Sequence, residues 1–187
     1  VSSIEDVSTR KNVLLRGLGD SEEEIAENIL NGFYQVTGGD ITVDYLTLQG
    51  APATSEPSLY STGSTITIGK NVEVAGGRES LFAGLGNGET GLTQKRTMIF
   101  NGGTWQSVAA GTNYSGNPNN EVGGAVDYTF NDGLFYGVWG GSKESWEWSN
   151  TKVQGDVNFT FNGGSYSGSF YLGSEPHPCE VLGNITW

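Results

Sequence analysis

Phe100-Asn101-Gly102-Gly103-Thr104-Trp105 returns as Phe130-Asn131-Asp132-Gly133-Leu134-Phe135 and again as Phe161-Asn162-Gly163-Gly164-Ser165-Tyr166. Each copy follows a short β-prone run: Thr97-Met98-Ile99, Asp127-Tyr128-Thr129 and Asn158-Phe159-Thr160. From leading Phe to leading Phe the copies stand 30 and 31 residues apart. Self-similarity at a fixed period of this size marks a stacked repeat architecture. Each copy reads as a strand, a tight turn that Asn and Gly accept cheaply, and a second strand carrying an aromatic. One copy cannot bury its own apolar face, so copies must stack.

Weaker copies lie upstream. Thr65-Ile66-Thr67-Ile68-Gly69-Lys70-Asn71-Val72 reads as strand, turn, strand; Ile68 stands 32 residues before Phe100, and Val43 stands 25 before Ile68. Ile41, Val43 and Tyr45 share one face of a two-residue alternation that Leu46 and Leu48 continue in shifted phase, which predicts a bend or bulge at Tyr45-Leu46. At the other end, Asn184-Ile185-Thr186-Trp187 matches Asn158-Phe159-Thr160-Phe161 in residue type at a spacing of 26. The chain is therefore expected to stop at the beginning of a further copy, as a piece of a longer protein or as a final half-turn. All copies together predict six to seven rungs. At a strand spacing of about 4.8 Å they form a column on the order of 30 Å long. Parallel stacking makes the chain wind, and the crossover rule favours a right-handed coil. Alternating Ile, Val, Phe and Leu face inward. Asn101, Asn131 and Asn162 stand where an amide ladder forms, which gives them a structural role.

Residues 1–37 read as a lead-in to a single domain whose rungs occupy 38–187. Asn12-Val13-Leu14-Leu15-Arg16-Gly17 suggests a first short strand. A helix is expected over about 21–31. Ser21 caps it, Glu24 three residues on completes a capping box, Ile25, Ile29 and Leu30 form its apolar stripe, and Asn31-Gly32 stops it. Residues 50–63, 84–95, 111–124 and 141–154 read as loops.

Composition agrees. The 187 residues include 30 Gly but only 5 Pro, with no G-X-Y period, which points to many turns between short strands and away from collagen. Aromatics at 11% lift the chain out of the disordered class. A formal charge of −12 repels nucleic acid and anionic lipid. Cys179 is the sole cysteine, so no internal disulfide forms. No apolar run approaches the roughly 20 residues that span a membrane.

With these residues in hand, the chain resembles the right-handed parallel β-helix (β-solenoid) proteins, all-β, and most of all the Gly- and Asn-rich adhesin-like solenoids of bacterial surfaces. The resemblance covers about residues 38–187 and rests on the period and the hydrophobic-Thr-Phe-Asn-Gly-Gly block. Families of this fold include polysaccharide lyases, galacturonan hydrolases, phage tailspikes, autotransporter passengers and adhesins, and fold alone does not choose among them. The resemblance implies a secreted or cell-surface module without enzymatic activity or a resident cofactor, binding a glycan or host-surface ligand. The alternatives are a carbohydrate-active enzyme, a lyase or hydrolase, and a structural spacer.

An enzyme of this kind needs carboxylates flanking the sugar bond. Asp127, Asp132 and Asp156 are the candidates. Asp127 and Asp156, 29 residues apart, are expected one above the other as an acid/base pair or a Ca²⁺ site, hard cations wanting several oxygens. The plainer reading is two solvated carboxylates on a rung shoulder. The sole His, His177, lies in a terminal loop, and no Arg follows Arg96, which counts against both chemistries. His177-Pro178-Cys179 offers a poor start for Cys–His catalysis and too few ligands for zinc. The aromatics are more suggestive. Trp146 and Trp148 fall on one face of an extended segment with Glu147 opposite, after Tyr136 and Trp139. Flat rings near Asn, Asp and Glu suit a sugar, which stacks on them and hydrogen-bonds through its hydroxyls. The same indoles would otherwise fold back as packing on the solenoid flank. Asn113-Tyr114-Ser115, Asn158-Phe159-Thr160 and Asn184-Ile185-Thr186 match the glycosylation triplet, a chance match in a chain of this composition.

Overall fold

The computed structural model describes residues 12–19, 21–31, 34–36, 40–49, 59–61, 65–74, 80–82, 95–111, 121–141, 151–173 and 179–187. They form an all-β parallel solenoid. Its first sheet runs Asn12–Arg16, Asp40–Asp44, Thr65–Ile68, Arg96–Phe100, Val126–Phe130, Val157–Phe161, Ile185–Thr186, each strand parallel to the next. A second sheet runs Tyr34–Val36, Leu59–Ser61, Ser80–Phe82, Ser107–Ala109, Leu134–Trp139, Ser165–Tyr171, with Thr104–Trp105 pairing the first half of Leu134–Trp139. Two three-stranded sheets close the coil: Ile29–Asn31, Leu46–Gln49, Val72–Val74 near the N-terminus and Glu121–Val122, Thr151–Val153, Cys179–Val181 near the C-terminus.

The repeat block sets the register. Phe100 pairs with Ile68 and with Phe130, and Phe130 with Phe161. Inside the coil the rings of Phe100 and Phe130 stack at 5.4 Å and 13°, and those of Phe130 and Phe161 at 5.3 Å and 12°. Within each rung the Phe meets its second aromatic edge-on: Phe100 with Trp105 at 5.6 Å, Phe130 with Phe135 at 4.8 Å, Phe161 with Tyr166 at 5.1 Å. Such pairs contribute about 0.5–1.5 kcal/mol each beyond the burial of their area. On the outside, the Asn131 amide nitrogen donates to the Asn101 Oδ1 at 2.8 Å, and that of Asn162 donates to the Asn131 Oδ1 at 2.7 Å. The turn between them needs a left-handed residue. Gly103, Gly133 and Gly164 supply it with φ of 91°, 124° and 91°.

Tyr45, at φ 51°, is the sole non-glycine with positive φ among the described residues. It turns the chain from Asp40–Asp44 into Leu46–Gln49, which accounts for the phase shift in the apolar pattern. Three expectations need correction. First, the described residues amount to about three turns of solenoid rather than six to seven rungs, because much of the chain that would close the earlier coils lies outside them. Second, the expected helix over 21–31 does not form as such. The capping box closes, Ser21 N–H to Glu24 Oε2 at 3.2 Å and Glu24 N–H to Ser21 Oγ at 3.3 Å. Only Glu22–Glu27 is helical, however, and Ile29–Asn31 is a strand that pairs with Thr47–Gln49. A strand edge satisfies that backbone better than another helical turn with no core to face. Third, the last copy is two residues out: Ile185 pairs with Val157 and Thr186 with Asn158. A slip of two keeps each side chain on its face, so type matching alone could not detect it.

Arg96 is buried at the inward start of its strand, in register with Val126, where burial lowers its guanidinium to about 10. At the centre of the aromatic stack Phe130 is fully buried, whereas Phe161 on the last full rung is 42% exposed. Phe130→Ala is therefore expected to cost about 3–5 kcal/mol and Phe161→Ala distinctly less. Urea unfolding of the two variants measures this, and equal losses would show that the stack is not continuous.

Candidate functional site

The strand Leu134–Trp139 carries the described part of the aromatic site. Phe135 and Val138 face the core, and Tyr136 between them is 39% exposed. By register Tyr136 stands between Gln106 on the rung before and Ser167-Gly168 on the rung after, where two residues oppose one in a β-bulge. Gly168 crosses directly against the Tyr136 carbonyl, so a Cβ there has no room. Gln106 and Ser167 are both exposed. A flat phenol flanked by an amide and a hydroxyl results.

Trp139 behaves differently. It is 5% exposed and stacks on Tyr171 at 5.5 Å and 12°, apart from the main core, with Ala109 beneath it in register. Its indole lies over Gly137, where a Cβ would collide with the ring. The Trp139 carbonyl also accepts the Tyr128 hydroxyl at 2.6 Å, and burial pushes that hydroxyl's pKa up. Trp139 is thus a packed support rather than an open stacking surface. Trp146, Glu147 and Trp148 lie outside the described residues, as does His177. Cys179 opens a strand and pairs with Thr151.

Register separates the candidate carboxylates. Asp127 pairs with Asn158, not with Asp156, and Asp156 stands one position before Val157. Asp132 lies beyond the far end of the strand Val126–Phe130 that carries Asp127, and its Oδ1 accepts the Gly133 N–H at 2.8 Å within the turn. Asp156 Oδ1 accepts the Asn184 N–H at 2.6 Å, and Asp127 Oδ1 accepts the Asn158 amide at 2.8 Å. The expectation of Asp127 above Asp156 is corrected accordingly: Asp127 and Asp156 each tie their own rung to the next, and Asp132 closes its own turn. The Asn158 amide is taken up in its bond to Asp127, and that of Asn184 in one to Asp156 at 3.3 Å. Among the described residues no three of His, Cys, Asp and Glu gather as a metal site would need.

A feature that the sequence reading missed is the charge distribution. Among the described residues the second sheet alone carries no charged residue: its strands read YQV, LYS, SLF, TW, SVA, LFYGVW and SYSGSFY. Along it, Tyr60, Phe82, Ala109, Trp139 and Tyr171 share one register position. The signal was present as runs without Asp, Glu, Lys or Arg. It becomes a surface property only once the rungs are aligned.

Burial raises the Asp127 carboxyl, but the Asn158 hydrogen bond and the contact with the Lys95 ammonium outweigh it and hold the carboxyl below its ordinary value. A depressed carboxylate stabilises the fold above its unfolded value of about 3.9, and that share is lost as pH falls through the folded value. Asp127→Asn is expected to cost less than about 1 kcal/mol at neutral pH, since the pair is partly exposed. The gap to wild type should close below about pH 4, which urea midpoints across pH would show; a constant gap would mean that the charge contributes nothing. No protein-family model matches this chain, nor does any curated protein or solved structure.

Proposed function

We propose that the chain is a non-enzymatic, adhesin-like β-solenoid module, extracellular or at the cell surface, that binds glycans through aromatic side chains at and beside its loops. The observation that carries this reading is the exposed Tyr136 on its strand, flanked by Gln106 and Ser167 in register and ten residues before Trp146 in the sequence. A ring held flat by the scaffold stacks on a sugar at little entropic cost, and nearby amides and hydroxyls take the sugar hydroxyls. The reading extends to a right-handed coil, for which the crossover preference is the support. The hydrogen bonds in which Asp127, Asp132 and Asp156 are each engaged support the non-enzymatic reading over the carbohydrate-active enzyme.

A glycan array tests the binding. Retention of a defined set of glycans, lost on Trp146→Ala with Trp148→Ala while the melting temperature holds, is the expected result. No retained glycan would leave a structural spacer as the better description.

A further inference from the structure

We infer that the outer face of the first sheet binds an ice surface, water ordered in a two-dimensional lattice, through a column of threonines. This stands apart from the glycan reading, because Tyr136 lies on the second sheet and the two sites share no residue.

Inward and outward positions alternate in the first sheet. Ile66 and Ile68, Met98 and Phe100, Tyr128 and Phe130 are buried, and the residues between them are half-exposed. Along the axis the middle outward position reads Thr42, Thr67, Ile99, Thr129, Thr160, each in register with the next. Five rungs in succession therefore present an uncharged, β-branched side chain, in a protein of net charge −12. Beside this column, Thr65 pairs with Thr97. A β-branched side chain is stiff at χ1, so each Thr holds its hydroxyl and its methyl in fixed relation to the backbone. The parallel ladder then spaces them, at ~4.8 Å from rung to rung and ~6.6 Å from one outward position to the next along a strand. Both repeats are comparable to those of oxygen positions on an ice surface. A hydroxyl can take the place of a lattice water while the methyl sits between neighbouring waters, and a face ordered in advance binds at little entropic cost.

The same positions argue against other ligands. The outward residues of Thr65–Ile68, Arg96–Phe100 and Val126–Phe130 include no aromatic ring on which a sugar could stack. For a polyelectrolyte the column has no charge, and the carboxylates at its side are engaged. Asp127 meets the Lys95 ammonium and accepts the Asn158 amide, and Asp40 Oδ1 accepts the Thr65 N–H at 2.9 Å. A linear polymer repeats in one direction, whereas this face and an ice surface repeat in two.

The test is slow freezing of a solution of the 187-residue chain, with its partition between ice and liquid measured and the gap between melting and freezing points read on single crystals. Thr67→Tyr and Thr129→Tyr, whose bulk would hold the lattice off the face, are compared with Glu73→Tyr, an exposed position on Val72–Val74 outside the first sheet. The expected result is enrichment in ice and a measurable gap, both lost in the two Thr variants at an unchanged unfolding temperature and both kept in Glu73→Tyr. Exclusion of the unaltered chain from ice would overturn the inference, as would uptake that survives both Thr variants or is lost equally in Glu73→Tyr. A dimer in sedimentation that Thr67→Tyr dissociates would make this face a contact between copies and overturn it too. None of these outcomes touches the glycan reading.

Discussion

Every part of this molecule depends on parallel pairing held in register from rung to rung. With Phe130 directly over Phe100 and Phe161, three rings form one stack inside the coil, and the same alignment brings Asn131 within hydrogen-bond distance of Asn101 and Asn162 outside it. The backbone ladder, the ring stack and the amide ladder cannot be adjusted separately. A shift of one residue would turn the rings to solvent and the amides to the core. The tight left-handed glycine turn keeps the two halves of each rung in fixed relation, so the register set in the first sheet is passed to the second.

The three strong copies were legible because their chemistry is local and repeated. Phe, Asn and Gly at fixed offsets name the stack, the ladder and the turn before any coordinates exist, and the phase change at Tyr45 named the bend. Other features depended on neighbours distant in sequence. Ile29–Asn31 carries a helical pattern, but the free edge of Leu46–Gln49 claims it as a strand. Asp127 and Asp156 looked like equivalents by spacing, yet register gives Asp127 to Asn158. Arg96 is interior, because its position matches Val126 on the next rung, a placement that only the register shows. Of the candidate site, Tyr136 is exposed on its strand, while the cover on Trp139 comes from Tyr171 thirty-two residues on, too far along the chain for the sequence to show.

The carboxylates illustrate how a repeat fold reuses polar groups. Asp127 and Asp156 each accept a bond from the succeeding rung, and Asp44 Oδ1 accepts the Asn71 N–H at 3.3 Å in the same manner. Acidic residues at strand ends serve as ties between turns while their charge keeps the flanks hydrated. The sheet without charge stands out against this background, because nothing in rung stacking requires it to be neutral.

The amide ladder has a sense: every side-chain donor points toward the N-terminal rung and every acceptor toward the C-terminal one. Upper and lower surfaces of a turn are therefore complementary to each other and alike from turn to turn. Excising one whole period rejoins surfaces that already fit, whereas removing half a period abuts a donor row and a ring stack on the wrong partners. Length in such a column is quantised, and whole-turn duplication or loss is the natural step by which its reach changes.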